Sequence, residues 1–223
     1  AIDPGHGGHD PGAEVSGLTE AGLVLDVALR VEGLLRKEEG VEVVLTRRTD
    51  AYVSLDERTA IANRTGADLF LSIHATPNPA ARVRGVETYF LNFAPNPAAE
   101  ALAARENAGS SLRMRDLPDL VEAIALNNKR EESRDFATTL QSTLYERLRT
   151  VNRNLKNLGV KQAPFVVLVG ASMPAFLAEV AFMTNAQEAL LLKTTRYRQR
   201  IAQALVAAVI RYGERVKKTA GAG

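Results

Sequence analysis

The sequence predicts an α/β fold. The expected form is a three-layer domain whose central, mostly parallel or mixed sheet is flanked by helices, with a helical insertion near residues 92–131. Three observations predict it. Short apolar runs of strand length alternate with longer segments of helical spacing. The chain has 223 residues, 46% hydrophobic and 24% charged, the balance of a globular protein that needs no staples. Only between residues 92 and 131 does the alternation fail, where Pro95 and Pro97 open a stretch of two helical pieces around a Gly/Ser break.

Ala1-Ile2 reads as the end of a first strand, and the loop "DPGHGGHDPGAEVSG" follows it. Residues 19–37 carry Leu23, Val27, Val31, Leu34 and Leu35 at helical spacing, with Thr19 as N-cap. "VEVVLT" (41–46) reads as a strand. Ser54 and Glu57 have the spacing of a capping box opening a helix to about Asn63. "DLFLSIH" (68–74) is a buried strand, and "GVETYFL" (85–91) is another. In the insertion, "AAEALAARENA" (98–108) and "DLPDLVEAIAL" (116–126) have helical periodicity, the second with Leu117, Leu120, Val121 and Ile124 on one face. A helix over 132–149 comes next, then strands at "FVVLV" (165–169) and "AFLAEVAF" (175–182). A last helix runs from about Tyr197 to Lys217, and residues 219–223 read as a flexible tail. The whole of 1–223 is expected to be one domain.

Composition excludes several classes. With no cysteine, there are no disulfides, thiolate metal sites or thiol nucleophile. A net charge of +2 without a basic stripe interleaved with aromatics argues against a nucleic-acid partner. No run has the length and apolarity of a membrane span. The chain opens inside a predicted strand with no signal peptide, so a targeting segment is expected to have been separated from it.

The chain has three histidines, and two of them, His6 and His9, lie in the first loop. In open α/β sheets, sites form at the carboxyl ends of strands. That rule brings together His6 after the first strand, His74 at the end of the third and Glu179 near the end of the last. A catalytic zinc takes three protein ligands and leaves a fourth position open. His6 and His74 offer imidazoles, and Glu20, in the first turn of its helix, offers an anion favoured by the helix N-terminus. Glu179 sits in an apolar run, where an unpaired carboxylate costs several kcal/mol. Beside a metal it could take a proton from water and pass it to a leaving amine. Taken singly, each residue has a plainer reading. His6 would be a turn residue, His74 a satisfied core histidine and Glu20 a helix-start charge. His9 would be an exposed loop residue or a rival ligand, and Asp10-Pro11-Gly12 a turn without a chemical role. The residues alone point to a metal hydrolase of unspecified substrate.

The runs "IDPGHGGHDPGA", "LTEAGLVLDVALRV", "LTRRTDAYVSLDERTAIAN", "ADLFLSIHAT", "GVETYFL" and "FLAEVAFMTN" span nearly the whole chain. In this order they resemble the zinc-dependent N-acetylmuramoyl-L-alanine amidases of bacterial cell division. The resemblance implies one zinc ion on His6, Glu20 and His74, with Glu179 as catalytic acid/base. It implies cleavage of the amide joining N-acetylmuramic acid to L-alanine in peptidoglycan, in the periplasm or outside the cell, for daughter-cell separation or wall remodelling. Two departures, Thr76 for the usual Asn and Ala181 for the usual Gly, bear on substrate fit and remove no ligand. The resemblance also gives the insertion a role: a glutamate from it fills the open coordination position until an activator with a LytM-type domain draws the segment away. Glu106 is the best match for that residue, and Glu122 the second. The alternative for 92–131 is an ordinary surface flap. The rivals for the whole chain are a zinc carboxypeptidase or other amidohydrolase, and a catalytically silent wall-binding module.

Overall fold

The computed structural model describes residues 1–93, 96–110 and 129–220. Its centre is a five-stranded mixed sheet. In chain order the strands are β1 (Ile2–Pro4), β4 (Phe70–His74), β5 (Val86–Leu91), β6 (Asn157–Ala163) and β7 (Ala175–Glu179), and across the sheet they run β1-β4-β7-β5-β6. β1, β4 and β7 are mutually parallel. β5 is antiparallel to β7 and parallel to β6. A small hairpin, β2 (Glu14–Val15) with β3 (Leu18–Thr19), leads into α1 (Glu20–Leu35).

Six α-helices lie among the described residues: α1, α2 (Leu55–Arg64), α3 (Pro97–Glu106), α4 (Arg130–Leu148), α5 (Ala186–Leu192) and α6 (Thr195–Ala220). Side chains alternate across a strand, and the two faces of the sheet divide accordingly. Leu71, Ile73, Phe176, Ala178 and Phe90 join Val24, Val27 and Val31 of α1, Phe136 and Leu140 of α4, and Ile201 and Leu205 of α6 in the larger core. Phe70, Leu177, Tyr89 and Leu91 face the other way, onto Ala62 of α2 and Ala99, Leu102 and Ala103 of α3. On this second face the polar residues Asp3, Ser72, His74, Glu87 and Glu179 continue the same alternation, with His74 opposite Glu179 and Glu179 opposite Glu87.

The predicted three-layer architecture is the one observed, and several elements differ in detail. Residues 41–46 form no strand: Leu45 makes one parallel bridge to Ile2, with Val44 O and Thr46 N bonded to the Ile2 backbone, and the edge pairing goes no further. In "FVVLV" residues 165–168 are buried, but Val166–Leu168 is a 3₁₀ turn. The strand is instead the preceding Asn157–Ala163, which is half-exposed at the sheet edge and so lacks an apolar signature. Thr19 caps α1 by accepting from Gly22 N, as expected. Ser54 makes no side-chain cap bond, and Glu57 is turned to Arg64 in place of the reciprocal bond of a capping box. The predicted helix at 116–126, with its apolar stripe and Glu122, lies outside the described residues, as does the tail from 221 onward.

Candidate metal centre

The first loop carries His6 by an unusual backbone path. His6 adopts φ 59°, in the left-handed region that non-glycine residues rarely visit. Buried arginines hold this path. Arg58 Nη2 donates to His6 O (2.9 Å) and its Nη1 to Pro4 O and to Asp3 Oδ1 (both 2.8 Å). Arg47 Nη2 donates to Gly5 O (2.7 Å) and Ala21 O (2.9 Å). Asp3 is itself bonded by Thr46 and Ser72. Burial works against its charge, but Arg58 and these hydroxyls outweigh that and lower its pKa. Two glycines are required by contact rather than by flexibility alone. A Cβ at Gly5 would lie 2.4 Å from Cε1 of His74, and one at Gly12 would lie 2.7 Å from Cδ2 of His6 and 2.8 Å from Cβ of Glu20.

Glu20 is the first residue of α1. Its Oε2 accepts from Ala13 N (3.1 Å) and its Oε1 from Ala75 N (2.9 Å), so the carboxylate ties the first loop to the end of β4. Glu20 Oε1 lies 3.4 Å from His6 Nε2 and 3.2 Å from His74 Nδ1. Glu106, the last residue of α3, brings its Oε2 to 3.2 Å from His6 Nε2 and 3.3 Å from His74 Nδ1. The four side chains predicted for the metal and for its closure therefore meet at one point.

Among the described residues, the buried side-chain atoms without a hydrogen-bond partner are His6 Nε2, His74 Nδ1 and Glu106 Oε2, all three facing that point. Buried polar atoms in folded proteins are nearly always satisfied. Ligands at zinc distances of 2.0–2.1 Å and tetrahedral angles are separated by about 3.3–3.4 Å. Four edges of the His6–Glu20–His74–Glu106 figure measure 3.2–3.4 Å. The residues fit a divalent ion in donor type, spacing and unmet valence. The charges point the same way. Burial disfavours positive charge on both imidazoles, yet the surrounding carboxylates prevail and raise His6 to about 12 and His74 to about 9. Burial likewise opposes the Glu20 and Glu106 anions, but the two histidines hold Glu20 well below its ordinary value and bring Glu106 to about 2. The cluster is built around positive charge.

Glu179 is fully buried beside it. Thr76 N donates to Glu179 Oε2 (2.9 Å), and the Thr76 hydroxyl donates to Oε1 (2.6 Å). Burial, reinforced by Glu20 and Glu106 and offset in part by His74, raises its pKa to about 8. A carboxyl titrating there can both accept and return a proton near neutral pH.

Asp10 corrects the sequence reading. Its Oδ2 lies 2.8 Å from His6 Nδ1, and its Oδ1 accepts from Gly12 N. It shapes the turn and also fixes the imidazole so that Nε2 faces the cluster, the role a carboxylate plays behind a metal-binding histidine. Its position four residues after a candidate ligand was the signal available in the sequence. Arg47, Arg58 and Thr76 gave no local signal, since their partners are distant in the chain. His9 stays out of the cluster and stacks on Tyr52 at 4.1 Å. Together these two residues flank a cleft of about 500 Å³ that reaches His6, Glu20 and Glu106.

Comparison with known proteins identifies the family of the chain. The family model described as N-acetylmuramoyl-L-alanine amidase matches residues 1–211. The chain is 36% identical over 217 residues to N-acetylmuramoyl-L-alanine amidase AmiA of Escherichia coli (strain K12), covering 95% of this chain and 74% of that one. It superposes on the crystal structure of N-acetylmuramoyl-L-alanine amidase from Clostridium difficile 630 with a TM-score of 0.74 at 28% identity, over 96% of this chain and 95% of the other. The catalytic domain of CwlV from Bacillus (Paenibacillus) polymyxa var. colistinus gives 0.73 at 27% identity, over 96% of each. A match running from the first residue into the last helix, and a relative this similar along nearly the whole chain, make it a member of the N-acetylmuramoyl-L-alanine amidase family.

Proposed function

We propose that this chain is a zinc-dependent peptidoglycan amidase, which hydrolyses the amide between N-acetylmuramic acid and the L-alanine of the stem peptide. The observation that carries this reading is the convergence of His6 Nε2, His74 Nδ1 and Glu20 Oε1 on one point beside the buried Glu179. His6, Glu20 and His74 would hold the ion. When bound, zinc supplies Lewis-acid polarisation of the scissile carbonyl and acidifies water. Glu179 takes the proton of the attacking water and delivers it to the departing alanine nitrogen, so that the carboxylate is regenerated. Asp10 keeps His6 oriented throughout, and Thr76 keeps Glu179 in place.

Glu106 is the closing ligand of a blocked state. Catalytic zinc sites keep a position open, whereas closed four-ligand sets belong to structural sites. Glu106 Oε2, 3.2 Å from His6 Nε2 and 3.3 Å from His74 Nδ1, would take the position that a catalytic ion leaves for water or substrate. The way α3 is docked supports its removal. Its buried apolar residues are Ala99, Leu102 and Ala103, two of them small. The rest of its hold is polar: Asn107, just beyond it, donates to Pro164 O and accepts from Val166 N (both 2.9 Å), and Arg105 donates to Pro77 O (2.9 Å). Moving such a segment from 99% docked to 99% released needs about 5.5 kcal/mol of preferential binding by a partner. A LytM-domain activator is the partner we assign, and daughter-cell separation or wall remodelling in the periplasm or outside the cell is the setting. Among the described residues, no helix is long and apolar enough to cross a membrane.

The test is product analysis on a soluble muramoyl-L-alanyl peptide, with zinc measured in the wild type and in His6→Ala, Glu20→Ala and His74→Ala. A product with a free L-alanine amine, lost together with zinc in all three variants, supports the reading. Cleavage within the peptide instead would make the enzyme a carboxypeptidase. Zinc retained at full affinity in the variants would place the ion elsewhere.

A further inference from the structure

Adjacent residues of α3 reach two different parts of the site. Glu106 points at His6 and His74, while Arg105 Nη2 donates to the hydroxyl of Thr76 (3.1 Å) and its Nη1 to Pro77 O. Thr76 is 2% exposed, and its own carbonyl accepts from Met183 N (3.1 Å), so its backbone is fixed. Among the described residues, the donors to the Glu179 side chain both belong to Thr76, its N–H on one oxygen and its hydroxyl on the other. A carboxylate bonded through one oxygen can still rotate about its last torsion, whereas one bonded through both has a fixed plane. Each oxygen keeps a second lone pair for an incoming proton. A threonine hydroxyl has a single proton. Donating it to Glu179 while accepting from Arg105 uses its only proton, and it joins the blocking helix to the acid/base in one hydrogen-bonded chain.

We propose that Thr76 is the positioning residue for Glu179, and that α3 acts on both halves of the site, on the metal point through Glu106 and on the Glu179 carboxyl through Arg105 and Thr76. This rests on the reading of Glu179 as the acid/base. Three substitutions in the zinc-loaded full chain test it. Thr76→Val keeps the shape and the backbone N–H but removes the hydroxyl. Thr76→Ser keeps the hydroxyl. Arg105→Met removes the distal link together with the bonds of Arg105 to Pro77 O and Glu106 Oε1, so Glu106→Gln is run beside it as the control for changes that reach Glu179 through Glu106. The readouts are kcat and KM on a soluble muramoyl-L-alanyl peptide, bound zinc, and the carboxyl ¹³C resonance of Glu179 in glutamate-labelled protein, identified by its loss in Glu179→Gln. Thr76→Val is expected to lower kcat roughly ten- to hundredfold with KM and zinc unchanged, as misplacement of a reacting group does, and to shift the Glu179 resonance. Thr76→Ser is expected to restore both. Arg105→Met is expected to shift the same resonance although Arg105 does not touch Glu179. A wild-type kcat in Thr76→Val, or a Thr76→Ser as impaired as the valine variant, overturns the positioning role. An unmoved resonance in Arg105→Met overturns the link to α3. If neither the wild type nor Glu106→Ala cleaves the muramoyl-peptide, the amidase reading fails, and the resonance alone still decides: a shift in valine but not serine upholds the Thr76–Glu179 bond, and no shift in either refutes it.

Discussion

At the scale of single residues, the cluster divides into atoms that face the metal point and atoms that aim them. Asp10 is the clearest of the second kind, holding His6 Nδ1 so that Nε2 faces the cluster. Asp10→Ala is predicted to weaken zinc binding about 10- to 100-fold, the usual effect of losing a partner behind a ligand, as read by competition with a chelator. Glu179→Gln is predicted to keep zinc and lose turnover by about 10²–10⁴-fold. A second buried carboxylate gives a pH signature of its own. Glu188 accepts from Phe182 N (2.7 Å) and Gly85 N (3.0 Å), and burial raises its pKa from 4.5 to about 7 despite those bonds. The folded state therefore binds this proton more tightly than the unfolded chain does. The associated stability is present below pH 4.5 and is lost as pH rises to about 7, by on the order of 1–3 kcal/mol. Thermal unfolding at pH 5 and pH 8 should show a fall in Tm that shrinks in Glu188→Gln, and an equal fall in both proteins would contradict this assignment.

At the scale of elements, α3 is the segment proposed to block the site. Asn107→Ala removes two hydrogen bonds from its end, about 1–3 kcal/mol of docking, and is predicted to raise basal amidase activity roughly tenfold. Glu106→Ala should raise it at least as far, because it opens the fourth corner directly. An unchanged basal rate in both folded variants would show that α3 is a flap and not a block. The sequence disclosed those elements whose side chains reveal one buried face. Leu23, Val27 and Val31 mark α1, and Phe70 to His74 mark β4. It failed at the sheet edges. The half-exposed Asn157–Ala163 strand has no apolar pattern, and the fully buried Val166–Leu168 has one that a turn can satisfy as well as a strand. The short α5 was also missed, although Asn185 caps it by accepting from the N–H groups of Gln187 and Glu188.

At the scale of the whole molecule, one face of the sheet is a hydrophobic wall under α1, α4 and α6, and the other carries a polar line from Asp3 and Ser72 to His74 and Glu179. In the sequence, strand-end location marks His6, His74 and Glu179, the first turn of a helix marks Glu20, and the cost of a buried charge marks Glu179 a second time. What supports them was not legible, since Arg58 reaches Asp3 and His6 across more than fifty positions of chain. Arg58→Met leaves Asp3 as an unpaired buried anion, and is predicted to destabilise the fold by about 3–5 kcal/mol in denaturant unfolding. A loss below about 1 kcal/mol would mean that the Asp3–Arg58 pair is dispensable. The central claim is that this fold assembles a zinc amidase held shut by its own helix. The most direct measurement is release of stem peptide from purified sacculi, with zinc determined on the same samples, for wild type, Glu179→Ala and Glu106→Ala. The account predicts zinc in all three, peptides with a free L-alanine amine from the wild type, more of them from Glu106→Ala, and none above background from Glu179→Ala. Zinc bound with no release by any of the three, or release by Glu179→Ala at the wild-type rate, would contradict it.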